Sequence, residues 1–240
     1  AAAASAPGAT DTFELDGLVE PEAFASDGSL LFVIDHRAGA QPGTYRIRPL
    51  DLATGSLQAA LGPTKIPLEE DMRGRGVRQV WAPDGTRLYT LYIRQSPHGG
   101  GEPTVGLVHV LDLVEEWAYC VDLPAGFGAG AEGSAALAVS PDSSTLAVVD
   151  GNAGQAAFVD TSTLAVVDTA RLPVDVPGID GAGSGNDRVA IHLALTADRL
   201  ALTAGDRLVW LDRATLNPVG TVEPLRSPVR GLTSQEGSVL

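Results

Sequence analysis

A strand-turn-strand pattern that closes on an aspartate occurs four times in this chain of 240 residues. In each copy an apolar run stops at a short polar turn, and the next apolar stretches lead to the closing aspartate. The turns contain Asp27, Asp84, Asp142 and Asp198, and the closing residues are Asp51, Asp112, Asp160 and Asp212. Repeats of this kind are typical of folds that stack one supersecondary unit many times. The repeat therefore constrains the architecture far more than the chemistry.

The third copy shows the repeated unit most clearly. Four short runs rich in Val, Ala and Leu follow one another at 135–139, 145–149, 156–160 and 164–168. The turns between them hold Gly, Asp, Asn, Ser and Thr, as expected between β-strands. The runs are too short for helices, and no window keeps a 3.6-residue period. Each copy is therefore predicted to be a four-stranded antiparallel meander.

The spacing of the copies points to one kind of all-β fold. Successive turn aspartates lie 57, 58 and 56 residues apart, which exceeds the roughly 40–50 residues of a typical propeller blade, and the excess lies in loops. A sandwich does not repeat this pattern, and a β-helix has a shorter period. We predict an all-β propeller with four-stranded antiparallel blades. The blades are expected at about 19–61, 77–123, 134–172 and 187–223 of one domain spanning 13–240.

Several turn sequences resemble those of known propeller repeats. Residues 158–173, FVDTSTLAVVDTARLP, are similar to the repeat of YVTN-type propellers, in which a Val-Asp-x-x-Thr turn precedes a Val-rich strand. The segments LDRATL at 211–216 and LDLATG at 50–55 share this pattern. WAPDG at 81–85 and VSPD at 139–142 resemble the Ser-Pro-Asp-Gly turns of YVTN, TolB-like and WD40-like propellers. The resemblance implies the fold, and the lack of a Trp-Asp dipeptide disfavours a strict WD40 repeat.

The end of the chain reads as the beginning of a further blade. Residues 229–240 have the pattern of a first strand and a turn, followed by only the start of a second strand. An open ring would expose strand edges and an apolar blade face. We therefore expect the ring to be incomplete in this chain, with residues beyond Leu240 and more blades. The alternative is a compact ring of four or five blades with an irregular closure.

Charge and composition exclude several classes of partner. The net charge of −14 argues against nucleic acid and anionic membrane surfaces, which both require basic patches. Cys120 is the single cysteine, so an internal disulfide is excluded, and no apolar run is long enough for a transmembrane helix. The Ala-, Ser- and Pro-rich residues 1–12 resemble the flexible tether that follows a signal sequence or lipid anchor, with a cloning remnant as the alternative. We expect an extracytoplasmic protein, secreted or tethered.

Connections in an antiparallel meander alternate between the two ends of the strands. The tight Asp-containing turns therefore lie on one face of the propeller, and the long connections lie on the other, which we call the long-loop face. Long loops on a rigid scaffold often carry binding residues, although functionless insertions are also tolerated there. The long connections are 35–44, 62–76, 94–104, 124–133, 150–155 and 173–187.

Polar residues with binding chemistry occur on this long-loop face in three blades. The candidate ligand-binding residues are Asp35, His36 and Arg37, then Arg94 and His98, and finally Asp150 and Asn152. A histidine beside a carboxylate could form an acid–base pair or offer ligands to a divalent cation. Turn capping by aspartate explains some of the same residues without any ligand. His109 and His192 fall inside strands, where packing with a satisfied hydrogen bond is expected.

Two functions from different classes fit these observations. No phosphate-binding loop, zinc-peptidase motif or nucleophile elbow occurs in the sequence. We predict a non-catalytic extracytoplasmic propeller that binds a protein, a glycan or a small ligand through its long-loop face. The alternative is a propeller enzyme, such as a lactonase or a quinoprotein-like dehydrogenase, with a polar or metal site at the channel mouth. The fold allows both, because propellers host many activities.

Overall fold

The structure is a computed structural model that describes residues 12–36, 44–68, 71–94, 105–128, 134–173, 190–227, 229–235 and 238–239. All regular elements in these ranges are β-strands. The described part of the chain contains no helix long and apolar enough to cross a bilayer. The all-β prediction is confirmed.

The first blade contains a short addition that the sequence pattern did not reveal. Its strands pair in the order β1 (Val19–Phe24), β2 (Leu30–Asp35), β3 (Thr44–Asp51) and β4 (Ser56–Leu57). Because β4 has only two residues, it covers one end of the outer edge of β3. The other end pairs with β5 (Met72–Arg73). A connection expected to join two blades thus contributes a strand to blade one.

The next three blades are four-stranded antiparallel sheets in chain order. Blade two contains β6 (Arg75–Trp81), β7 (Arg87–Arg94), β8 (Val105–Asp112) and β9 (Trp117–Asp122). Blade three contains β10 (Ala135–Val139), β11 (Thr145–Asp150), β12 (Gln155–Asp160) and β13 (Ala165–Arg171). Blade four contains β14 (Ile191–Leu195), β15 (Arg199–Ala204), β16 (Arg207–Asp212) and β17 (Glu223–Pro224). A separate hairpin joins β18 (Ser234–Gln235) and β19 (Ser238–Val239).

The outer strand of blade four is later and shorter than its sequence pattern indicates. The apolar run at 218–222 forms only an isolated bridge between Pro218 and Leu211. Proline has no N–H to donate to a ladder, and Gly220 has a φ of 82°, which interrupts the extended backbone. Pairing resumes at β17, where Glu223 and Pro224 face Leu208 and Arg207.

The hydrophobic core consists of three clusters, each lying between two neighbouring blades. Strand β11 shows the principle, because Leu146 and Val148 pack toward blade two while Ala147 and Val149 pack toward blade four. A strand buried on both faces must be continuously apolar, which explains its lack of alternation. The first strand of blade three, β10, contacts β6 and β14. The first strand of each of these blades therefore lies at the inner edge, toward the centre.

The repeated closing aspartates form the same turn in every blade. The Oδ1 atom of each aspartate accepts backbone N–H groups two and three residues further along, as for Asp160 with Ser162 and Thr163. The residue four positions after the aspartate then adopts a positive φ. These turns begin at Asp51, Asp112, Asp160 and Asp212, and their positive-φ residues are Gly55, Glu116, Leu164 and Leu216.

The turns of the closing aspartates also connect neighbouring blades. In blades two, three and four the residue after the closing aspartate contacts the preceding blade, so the repeat fixes the neighbours as well as the turn. The three contacts are Ser26 N–H to Leu113 O, the Arg87 guanidinium to Thr161 O, and Arg213 Nη2 to Thr145 Oγ1.

Candidate functional site

A cavity of about 560 Å³ lies between the inner strands of the first two blades. Strands β1 and β6 border it, and residues of β2, β3 and β7 complete its lining. Val19, Asp35 and Arg46 are in register at one end of blade one, and the cavity extends to this end, where His36 and Gly74 line it. This end is the long-loop face. We call this feature the inter-blade cavity.

A β-bulge in β1 directs one carboxyl group away from solvent. Pro21 pairs with Val33 and Ala23 pairs with Phe32, so Glu22 is the extra residue between them. Bulges interrupt the strict alternation of side chains and are frequent beside functional sites. Only 2% of the Glu22 side chain is exposed, although Phe24 on the same strand is 59% exposed. The bulge therefore buries an acid at the lining of the inter-blade cavity.

The Glu22 carboxyl has hydrogen-bonding capacity that the described residues do not use. Its Oε1 accepts a hydrogen bond of 3.4 Å from Thr90 Oγ1, which in turn accepts one of 3.3 Å from Gln79 Nε2. Its Oε2 is buried and has no hydrogen-bond partner among the described residues. Burial raises the pKa of Glu22 to about 7, against the smaller opposing effect of the Thr90 hydrogen bond. The carboxyl can therefore gain or lose a proton near neutral pH.

His109 lies behind Glu22 in the middle of β8, where it pairs with Thr90 and Cys120. Its Nδ1 is 3.9 Å from Glu22 Oε1, and only 2% of its side chain is exposed. Burial lowers the pKa of His109 to about 4, so the ring is neutral at pH 7. Nδ1 has no hydrogen-bond partner in the described structure. The expectation of a satisfied hydrogen bond for this histidine is therefore wrong at that atom.

Four aromatic rings run from the mouth of the inter-blade cavity to His109. The ring centroids of His36 and Tyr45 are 5.4 Å apart, those of Tyr45 and Tyr92 are 6.0 Å apart, and those of Tyr92 and His109 are 6.1 Å apart. Tyr45 Oη donates a 3.2 Å hydrogen bond to Gly74 O. Burial raises the pKa of Tyr92, so its hydroxyl stays protonated. The row gives the cavity an aromatic side next to its carboxyl.

The two inner strands carry opposite charges where they line the cavity. Strand β1 contributes Glu20 and Glu22, which we call the acidic wall, and β6 contributes Arg75 and Arg78, which we call the basic wall. His36 Nε2 lies 3.2 Å from Glu20 Oε1, in a geometry that does not form a hydrogen bond. The cavity therefore presents acidic, basic and aromatic groups together.

Among the residues predicted from the sequence, His36 lines the inter-blade cavity, whereas Asp35 does not. The Asp35 side chain is fully buried, and its Oδ2 accepts a 3.2 Å hydrogen bond from Arg48 Nη1. Arg94 is the last residue of β7. Arg37 and His98 lie outside the described residues.

The two candidates of blade three form a capped turn on the long-loop face. The Asp150 carboxylate accepts backbone hydrogen bonds from Gly128 at 2.7 Å, Asn152 at 2.9 Å and Ala153 at 3.0 Å. Neither Asp150 nor Asn152 lines the inter-blade cavity. A role in ligand binding for the seven candidates stays a prediction. The described residues contain no group of three or more His, Cys, Asp or Glu arranged to hold a metal ion.

Glu22, Thr90 and Tyr92 line the inter-blade cavity, and none of them was predicted from the sequence. The predicted blade one, from about residue 19, covers β1 and both of its glutamates, but neither was a candidate site residue. The signal was the Glu-Pro-Glu sequence at 20–22, because a proline inside a strand indicates an edge or a bulge.

The chain resembles solved β-propeller structures. No protein-family model and no curated protein matches this sequence. Among solved structures, the chain is similar to the dihydro-heme d1 dehydrogenase NirN in complex with DHE, with a TM-score of 0.51 and 18% identity. The match covers 94% of this chain and only 41% of that one. The luciferin-regenerating enzyme matches with a TM-score of 0.49 and 16% identity over 92% of this chain and 67% of that chain. The similarity to NirN supports the β-propeller fold alone.

Proposed function

We propose that the protein binds a small polar ligand in the inter-blade cavity, on its long-loop face, without converting it chemically. The buried Oε2 atom of Glu22 is the observation that carries this proposal, because it lacks a hydrogen-bond partner among the described residues. A buried acceptor without a partner costs about 1–3 kcal/mol. A ligand that donates a hydrogen bond to this oxygen offsets that cost.

The size and chemistry of the cavity support a ligand of small-molecule dimensions. Ligand pockets usually enclose about 300–1,000 Å³ and combine apolar walls with a few convergent polar groups. The inter-blade cavity, at about 560 Å³, falls within that range. Thr90, Gln79 and Tyr45 add polar atoms to the apolar surface of Ile34 and the tyrosine rings.

A ligand screen with matched variants tests the proposal. Amines, amino acids, carboxylates and sugars are each added to the purified chain, and thermal unfolding is followed by fluorescence. We expect at least one class to raise the Tm of the wild type, and Glu22→Gln to abolish that increase. Glu223→Gln, an exposed glutamate on β17 of blade four, is the control and should respond like the wild type. A panel without any binder, or a binder indifferent to Glu22→Gln, contradicts the proposal.

A propeller enzyme is the second candidate function, and one observation favours it. A carboxyl with a pKa near 7 beside a hydroxyl group is suited to general acid–base chemistry. Incubation with lactones, followed by titration of released acid, tests the lactonase version of this activity. Turnover that is lost in Glu22→Gln would show that the protein is an enzyme and that binding alone is not its function.

We also propose two broader assignments that rest on the sequence patterns. The Val-Asp-x-x-Thr turn at 159–163 supports a YVTN-type repeat, which an alignment of homologues would test. The Ala-, Ser- and Pro-rich start supports an extracytoplasmic location, secreted or tethered. Fractionation of cells that express the native gene tests this location.

A further inference from the structure

We infer that the ligand of the inter-blade cavity is a small zwitterion, whose ammonium group contacts Glu22 and whose anionic group contacts the basic wall. This inference rests on the proposed function and narrows it to one chemical class. Amino acids and ω-amino acids of similar size belong to this class.

The acidic side of the cavity has the groups that an ammonium ion requires. Glu22 offers a buried oxygen without a hydrogen-bond partner in the described structure, and the residue lines the cavity together with Tyr45 and Tyr92. The faces of aromatic rings attract cations when water is excluded. Both tyrosines are almost fully buried. A cation at this place would therefore gain from a carboxylate and from aromatic rings at once.

The opposite side of the cavity has the groups that an anion requires. Arg75 and Arg78 line it from β6, and guanidinium groups bind carboxylates with paired hydrogen bonds. One nitrogen of Arg78, Nη1, donates to its neighbour's backbone carbonyl, Val77 O, at 2.9 Å. A purely cationic ligand would lie close to these guanidinium groups, and a purely anionic ligand would lie close to Glu22. A ligand with both charges places each of them against the wall of opposite charge.

The backbone of β6 leaves room for such a ligand beside Glu22. Gly76 lines the cavity, and a Cβ atom at this position would approach Thr90 Cγ2 to 3.1 Å and Tyr92 Cζ to 3.4 Å. A larger side chain would therefore displace the residues that hold the carboxyl. Gly76→Val provides a steric test that keeps every charged group of the site.

Ammonium binding should be coupled to proton release from Glu22. An adjacent positive charge favours the ionised carboxylate. Below pH 7 Glu22 is protonated in most molecules. The other titratable groups of the cavity lining are Tyr92 on β7, Arg75 and Arg78 on β6, Tyr45 on β3, and His36 with Glu20, and His109 on β8 lies 3.9 Å from the carboxyl. His109 is neutral above pH 5 because of burial, so it adds no charge in this range. Affinity should rise about tenfold between pH 6 and pH 8 as proton competition ends.

Isothermal titration calorimetry with simple probes tests the inference. The probes are L-leucine and 4-aminobutyrate as zwitterions, n-butylamine as the cation alone, and butyrate as the anion alone. We expect at least one zwitterion to bind roughly tenfold more tightly than both single-charge probes. Titrations at pH 7 in two buffers of different ionisation enthalpy should show that its binding releases protons.

Substitutions test the acidic wall and the basic wall separately. Glu22→Gln should weaken zwitterion binding by roughly tenfold or more and remove the proton release. Arg78→Gln should weaken the zwitterion and leave n-butylamine equally or more tightly bound, since a positive charge is removed. If Glu22→Gln fails to fold, Gly76→Val tests the same site through sterics. Glu223→Gln serves as the folded control.

The outcomes distinguish this inference from the proposed function. If n-butylamine, butyrate or a neutral sugar binds more tightly than both zwitterions and this binding needs Glu22, the inference is wrong and the small-ligand site stands. Zwitterion binding that is unchanged in both Glu22→Gln and Gly76→Val also overturns it. If none of the probes and no compound of the screen binds, both proposals fail.

Discussion

The Oε1 atom of Glu22 and the Nδ1 atom of His109 lie 3.9 Å apart between the first two blades, where each side chain is 2% exposed. Burial raises the pKa of Glu22 from 4.5 to about 7 and lowers the pKa of His109 from 6.5 to about 4. Between these values both groups are neutral in the folded protein. In the unfolded chain near pH 5.5 the glutamate is anionic and the histidine is cationic. Folding therefore moves one proton from the histidine to the glutamate.

The first prediction concerns the stability of Glu22→Gln as a function of pH. In the wild type, Glu22 and His109 change the free energy of unfolding with opposite slopes between about pH 4.5 and 6.5, so their contributions to its pH dependence cancel. In Glu22→Gln only His109 of this pair titrates. Because its pKa is higher in the unfolded chain, a falling pH protonates the unfolded chain before the folded protein and so favours unfolding. The free energy of unfolding, relative to the wild type, should fall by up to about 3 kcal/mol as the pH drops from 6.5 to 4. Urea unfolding at several pH values measures this difference.

The matching variant His109→Gln should show the reverse dependence. Only Glu22 then titrates, and its raised pKa stabilises the fold while the carboxyl is protonated. That contribution is complete below about pH 4.5 and is lost as the pH rises through about 7. Parallel curves for both variants and the wild type would show that burial does not shift these two groups.

The blades could be predicted from sequence because their determinants are local. Each closing aspartate caps its own turn within three residues, and apolar runs beside these turns must become strands. The outer strands of blades one and four were predicted less well, because β4 and β17 each have only two residues. Such short strands leave too little pattern to read, and Pro218 and Gly220 shift the pairing of blade four.

The site could be predicted only in part because its determinants are not local. His36 was found from its place after a strand, at the end where loops gather. Glu22 depends on a bulge that rotates its side chain, and on the approach of β6 and β8 from the next blade. Residues 79, 90 and 109 are cross-strand neighbours within blade two, whereas residue 22 reaches them only through inter-blade packing, and no spacing in the sequence encodes that.

A second prediction concerns Arg87, which joins blades two and three. Its Nε donates a 2.8 Å hydrogen bond to the nearly buried Asp112, its Nη1 donates to Thr161 O, and the guanidinium stands 5.1 Å from the Trp117 ring centroid. Arg87→Gln removes the ion pair and leaves Asp112 without its cation. We expect the free energy of unfolding to fall by about 2 kcal/mol in urea titrations.

An exposed arginine provides the control for Arg87. Arg199 lies 3.5 Å from Asp198, with 49% and 74% of the two side chains exposed. Exposed ion pairs of this kind contribute little, so Arg199→Gln should change the free energy of unfolding by less than about 0.5 kcal/mol. Equal effects of the two substitutions would mean that Arg87 does not tie the blades.

The last prediction concerns the residue with left-handed backbone four positions after each closing aspartate. Glu116 has a φ of 56° in blade two, whereas the equivalent residue of blade one is Gly55, with a φ of 70°. Left-handed backbone disfavours residues with a Cβ, and the Glu116 carboxylate accepts a long 3.4 Å hydrogen bond from Ser29 Oγ. Glu116→Gly should therefore raise the free energy of unfolding by about 0.5–1 kcal/mol. Gly55→Ala should lower it by about 1 kcal/mol or more, because the new Cβ would also lie 2.9 Å from Phe13 Cδ1. Urea unfolding of both variants checks these opposite signs, and a destabilised Glu116→Gly would show that the glutamate side chain matters more than the backbone.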